Sequence, residues 1–78
     1  MSYSPELIAE LEVLMLFDLS STQEGIKVHK TAEPEIIAAA KRLHDKGFVT
    51  QVDGGYLTSL GTEAAEHGQN LFTLLTSG

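Results

Sequence analysis

The positions of the apolar residues along the chain predict a long first helix. It opens at Ser4-Pro5-Glu6, where serine can cap a helix, proline suits its first turn and glutamate suits the positive end of its dipole. Apolar residues line one face at helical spacing: Leu7, Ile8, Leu11, Leu14 and Met15. The opposite side is apolar too, with Ala9, Val13, Leu16 and Phe17. Such a helix is covered on two sides, either within one monomer or by another subunit.

The rest of the chain predicts a strand, a helix, a β-hairpin and a final helix. A polar turn, 18–25, leads to alternating residues at 26–29 that favour a short strand. A helix is predicted from Thr31 or Glu33 to residue 46, with Gly47 as its stop. Its apolar face carries Ile36, Ile37, Ala40 and Leu43.

The hairpin is the clearest local signal. Strand-type segments, 48–52 and 56–58, flank a turn at Asp53, Gly54 and Gly55, and Asp-Gly tolerates the positive φ of tight turns. Thr58 is predicted to cap the last helix. Gly61 and Gly68 lie on that helix's apolar face and predict a close approach to a neighbouring helix.

Length and composition limit the kinds of protein that this chain can be. Seventy-eight residues form one domain, 1–78, that buries only about 60% of its unfolded surface. The chain has no cysteine, and its three histidines lack ligand spacing, so no disulfide, metal or cofactor is expected. Self-association is the expected supplement to so small a core. No secretory signal or membrane-length apolar run occurs, so we expect a cytoplasmic protein without membrane contact.

Charge is unevenly distributed. The net charge is −6, which disfavours a general nucleic-acid binder. Segment 27–46 nevertheless holds five bases and three acids, for a net charge of +2, whereas the remainder carries eight acids and no base. The alternative to a polyanion-facing surface is a solvated helix face with local ion pairs, such as Lys41 with Asp45. The five bases are Lys27, Lys30, Lys41, Arg42 and Lys46.

The order of motifs resembles bacterial winged-helix regulators. Lys46-Gly47-Phe48-Val49 follows a helix, a turn comes next, and Tyr56-Leu57-Thr58 with Gly61 opens the closing helix. The resemblance covers about residues 34–68. The whole chain also resembles a small uncharacterised gammaproteobacterial family whose members are sometimes labelled DNA-binding proteins. The resemblance implies an α+β, winged-helix-like fold with a reduced helix-turn-helix.

It also implies a function, a non-enzymatic DNA-binding or transcriptional regulatory module. Helix 34–46 would be the recognition helix and hairpin 48–58 the wing, with Asp53, Gly54 and Gly55 at its tip. The five bases would contact double-stranded DNA. Two features favour a different use. The helix that should brace the recognition helix is missing or reduced to one turn, and the wing carries Asp53 but no base.

The alternative is a protein-interaction or homodimerisation module on the same scaffold. The predicted dimer contact joins the first and last helices through apolar side chains of both: Val13, Leu16, Phe17, Leu71, Phe72 and Leu75. No enzyme is predicted, because the His44-Asp45 pair has no positioned nucleophile. Tyr56 beside the turn is predicted to fill the core.

Overall fold

The elements follow one another as helix, strand, helix, β-hairpin and helix. The computed structural model describes residues 2–21 and 24–77. Helix α1 spans Pro5–Leu14, α2 Pro34–Asp45 and α3 Ser59–Thr76, while the strands are β1 Ile26–Lys27, β2 Val49–Gln51 and β3 Gly54–Leu57. Over these described residues the predicted α+β architecture is confirmed, with three helices and a three-stranded antiparallel sheet.

Local signals fix the helix ends. The Ser4 hydroxyl oxygen accepts the Leu7 N–H at 3.1 Å, and the Thr58 hydroxyl oxygen accepts the Gly61 N–H at 3.0 Å. Thr58 also donates to the Gly47 carbonyl oxygen at 2.6 Å, which ties the end of α2 to the start of α3. Gly47 has a φ of +84°, the left-handed conformation that ends a helix at glycine. These predicted caps and stops are confirmed.

The sheet has the order β1-β3-β2, so the second strand of the hairpin lies in the middle. Ile26 pairs with Gly55 and Lys27 with Gly54, while the register between β2 and β3 shifts between Val49 and Gln51. The turn of the hairpin lies at residues 52–53. Gly54 and Gly55 therefore belong to β3, and the prediction that placed them at the wing tip is wrong.

Crowding explains why β3 needs these glycines. A Cβ on Gly54 would lie 2.8 Å from the Ile26 carbonyl oxygen, and one on Gly55 would lie 2.5 Å from the Thr50 hydroxyl oxygen. Both glycines also have positive φ, +118° and +75°. A side chain at either position would collide with β1 or with a side chain of β2, so the pair allows three strands to meet beside the turn of the wing.

The core lies where α1 crosses α2 beside the sheet. Its buried members come from all three helices, the segment after α1 and β2: Ala9, Val13, Leu14, Phe17, Ala39, Leu43, Val49 and Ala65. Leu7 and Ile8 near the start of α1 remain exposed, whereas Leu14 of the same predicted face is buried. Val13 of the opposite face and Phe17 of the segment after α1 are buried as well. Small side chains, Ala9 and Ala39, face the shared core and suit a close approach of the two helices.

Two further features bear on the resemblance. Only a single turn, closed by the Ala32 N–H on the His29 carbonyl oxygen at 2.9 Å, precedes α2 within residues 24–33. A complete bracing helix is therefore absent from that segment, as the sequence indicated. Gly61 does approach a neighbour closely, but the neighbour is the Phe48 carbonyl oxygen at the start of the wing rather than a helix.

Candidate functional site

A groove beside the wing collects two of the five bases. Lys27 ends β1 and Lys30 lies in the turn that follows, and both line a groove of about 520 Å³. Ile37 and Ala40 of α2 form its apolar side. Val52 and Asp53 close it from the wing, and the Val28 N–H donates to the Asp53 carbonyl oxygen at 2.7 Å. We call this feature the basic groove.

Lys41 is exposed on α2, one turn after Ile37 in the groove wall. The alternative prediction for Lys41 was a local ion pair with Asp45 on a solvated helix face, and these two side chains form no ion pair. Lys27, Lys30 and Lys41 likewise have no carboxylate within 4.0 Å in the described part of the chain. These three lysines are exposed and keep their full charge available to a ligand.

The other two bases are held by α1. Glu10 is only 5% exposed, and its carboxylate accepts hydrogen bonds from Arg42 Nε at 3.0 Å and from Lys46 Nζ. Arg42 also donates through Nη2 to the Glu6 carbonyl oxygen at 3.1 Å. Residues Glu10, Arg42 and Lys46 form what we call the Glu10 cluster. It clamps the C-terminal half of α2 onto α1.

The cluster sets the protonation of its acid. Burial by itself would raise the pKa of Glu10, but the hydrogen bonds from Lys46 and Arg42, with their positive charges, lower it below the ordinary value. Glu10 is therefore ionised at neutral pH and offsets one of the two positive charges, so the cluster keeps a net charge of +1. Both bases are held within the fold by this carboxylate, although their side chains remain partly exposed.

Sequence reasoning missed Glu10, although a signal was present. Glu6 and Glu10 lie one turn apart on α1, and Lys46, the C-cap of α2, lies one turn after Arg42. Matching spacings of opposite charge on two helices can bring acids and bases together when the helices pack. Only the packing itself shows that Glu10, rather than solvent, faces the two bases.

The predicted dimer residues divide into two groups. Val13 and Phe17 are buried in the core of the monomer, which contradicts their assignment to a surface between subunits. Leu16 of the turn after α1 and the three residues of α3, Leu71, Phe72 and Leu75, are exposed. Tyr56 is about half exposed, so the prediction that it fills the core is wrong.

The described residues contain no cluster of metal-binding side chains. Among them, His, Asp and Glu side chains form no group of three that could hold a metal ion. His44 Nδ1 is buried without a hydrogen-bond partner and lies 3.8 Å from Asp45 Oδ1. Over the same residues, no helix has both the length and the apolar character needed to cross a membrane.

Comparison with known proteins places the chain in a family but adds no activity. Residues 1–76 match the model of a family of unknown function, DUF5669, and the chain belongs to that family. Neither the curated proteins nor the solved structures gave a match.

Proposed function

We propose that this protein is a non-enzymatic DNA-binding module of winged-helix type that contacts the phosphate backbone through Lys27, Lys30 and Lys41. The observation that carries the proposal is the position of these lysines around the basic groove and on the adjoining face of α2. They are exposed and lack a carboxylate partner among the described residues. Ammonium groups in such a position neutralise phosphates and release counterions, which supplies most non-specific affinity.

The set of contacts is narrower than the sequence suggested. Arg42 and Lys46 bind the carboxylate of Glu10, so their contribution to a DNA complex is small beside that of the three free lysines. Asp53 on the wing opposes a phosphate close to the groove. The rest of the chain is acidic, and its repulsion orients the molecule with the lysines towards the polyanion.

Fluorescence anisotropy with a labelled duplex at low salt tests the proposal. Three phosphate contacts predict that log Kobs falls with log salt at a slope of roughly −2.7 per bound monomer. Lys41→Ala should weaken binding and reduce the slope by about 0.9. Lys46→Ala is the matched control, since it removes the same charge from the C-cap of the same helix, where the ammonium is bound to Glu10, and it should leave the slope unchanged.

Two outcomes would contradict the proposal. One is a lack of binding to duplex DNA at low salt. The other is an equal loss of slope for Lys41→Ala and Lys46→Ala, which would mean that total charge rather than the three free lysines determines binding.

A second candidate, a protein-interaction module on the same scaffold, is favoured by one observation. The outward face of α2 presents a single free base, Lys41, with Asp45 one turn further along. A recognition helix with so little net charge suits a protein partner better than DNA. Absence of DNA binding in the anisotropy experiment would leave this candidate as the better account.

A further inference from the structure

The last turns of α3 extend away from the body of the domain. Among the described residues, Gln69 makes the final tertiary hydrogen bond of the helix, from Nε2 to the Phe17 carbonyl oxygen at 3.0 Å. From Asn70 to Ser77 every residue is exposed. The helical part of this segment, 70–76, continues for roughly 10 Å at 1.5 Å per residue. We call residues 70–77 the α3 tail.

The tail carries large apolar side chains in the open. Leu71 is 45% exposed, Phe72 52%, Leu74 73% and Leu75 77%. At 3.6 residues per turn these four side chains cover roughly 160° of the helix circumference, so they form one broad stripe. A short helical extension with such exposed side chains gains little from tertiary packing and is marginal in water, and a partner along this stripe would stabilise it.

Charge indicates which partner the stripe fits. After Glu66 the sequence contains no Asp, Glu, Lys or Arg, whereas residues 1–66 hold all sixteen charged side chains. Two copies of a chain with a net charge of −6 repel each other over most of their surface. The tail is the part where they can meet without burying a carboxylate, and interface cores are depleted of charge in the same way.

The size of the apolar surface agrees with a dimer. Leu16 is 59% exposed. It precedes Phe17, whose carbonyl oxygen accepts the hydrogen bond from Gln69, so Leu16 lies beside α3. Together with the four tail residues it presents roughly 450 Å² of apolar surface, taking about 150 Å², the lower end of the aromatic range, for each wholly exposed side chain. A standard interface buries about 800 Å² per partner, and homodimer interfaces are about 65% apolar, which requires a similar apolar area.

We infer that the α3 tail and Leu16 form a two-fold homodimer contact with the same surface of a second copy. An isologous contact pairs the stripe with itself. In an antiparallel arrangement the positive end of each helix dipole lies beside the negative end of the other. This inference does not depend on DNA binding, because the tail lies on α3 and the lysines lie on β1, the following turn and α2.

Sedimentation equilibrium of the whole chain tests the inference. The wild type should show twice the 8.4 kDa monomer mass at high micromolar concentration, and the dimer should persist in high salt because no ion pair holds it. Leu75→Glu should be monomeric at the same concentration, with an unchanged helical circular-dichroism spectrum. Val52→Glu is the matched control on the wing, where Val52 is 53% exposed, and it should stay dimeric.

A monomeric wild type, a larger assembly, or a dimer that survives Leu75→Glu would overturn the inference. So would dissociation by Val52→Glu. A second measurement covers the case in which Leu75→Glu fails to fold. The chain has no cysteine, so Thr73→Cys accepts a single spin label on each copy. Double electron–electron resonance should then report one distance between the two labels of the dimer. An absent dipolar signal would contradict the two-fold contact.

Discussion

Replacement of Glu10 by glutamine should destabilise the protein although it preserves the shape of the side chain. Glu10 is 5% exposed and accepts hydrogen bonds from two cations. Hydrogen bonds to charged groups contribute about 1.5–3 kcal/mol each, and glutamine retains one acceptor oxygen. The side chains of Arg42 and Lys46 are 33% and 48% exposed, so after the replacement they recover part of their hydration.

We therefore expect a loss of about 2 kcal/mol, below the 3–5 kcal/mol that follows when a wholly buried partner is left unpaired. A domain of this length has a free energy of unfolding of roughly 4–12 kcal/mol, so the loss is a large share. It corresponds to a fall in Tm of roughly 10 °C.

Urea denaturation followed by circular dichroism measures this loss. Glu12→Gln is the matched control, because Glu12 is exposed on the same helix and has no ion pair within the described residues. It removes the same charge and should change stability by less than about 0.5 kcal/mol. Equal effects of the two replacements would refute the view that the Glu10 cluster clamps α2 onto α1.

The other predictions concern the stability of the protein in acid and the replacement of two glycines of α3. Because the folded-state pKa of Glu10 is lowered, its contribution is fully present above the unfolded pKa, near the ordinary value of 4.5, and is lost as the pH falls through the folded-state pKa. The stability difference between wild type and Glu10→Gln, measured by urea titration at several pH values, should thus shrink in acid; a constant difference would contradict it. Gly61→Ala should cost about 1–3 kcal/mol, since the new Cβ would collide with the Phe48 carbonyl oxygen. Gly68→Ala, whose Cβ would lie 3.6 Å from Leu11 Cδ2, should instead raise stability by up to about 1 kcal/mol. Thermal unfolding compares the two, and a destabilised Gly68→Ala would show that α3 is packed differently.

Features set by a few neighbouring residues could be predicted from the sequence. The caps at Ser4 and Thr58 and the stop at Gly47 depend on side chains and backbone angles within four residues. The hairpin was also predictable, but its tip was displaced. The positive φ at Gly54 and Gly55 serves the junction with β1, which the local Asp-Gly pattern does not reveal.

Features that depend on packing could not be predicted. Helix α1 has two apolar sides, and spacing alone cannot tell which one meets α2. The fold takes Val13 from one side and Leu14 from the other into the core and leaves Ile8 exposed. The bond between Glu10 and Arg42 joins residues 32 positions apart. This bond and the one from Lys46 to Glu10 change the assignment of two of the five bases, from contacts with a ligand to contacts within the fold.

A titration of the ¹⁵N-labelled protein with a short DNA duplex, followed by NMR, tests the central claim most directly. The account predicts that amide shifts concentrate at Lys27, Lys30 and Lys41 and around the basic groove, and that added salt reverses them. Shifts centred on the α1 side of α2, at Arg42 and Lys46, would contradict the account, as would a spectrum that DNA leaves unchanged at low salt.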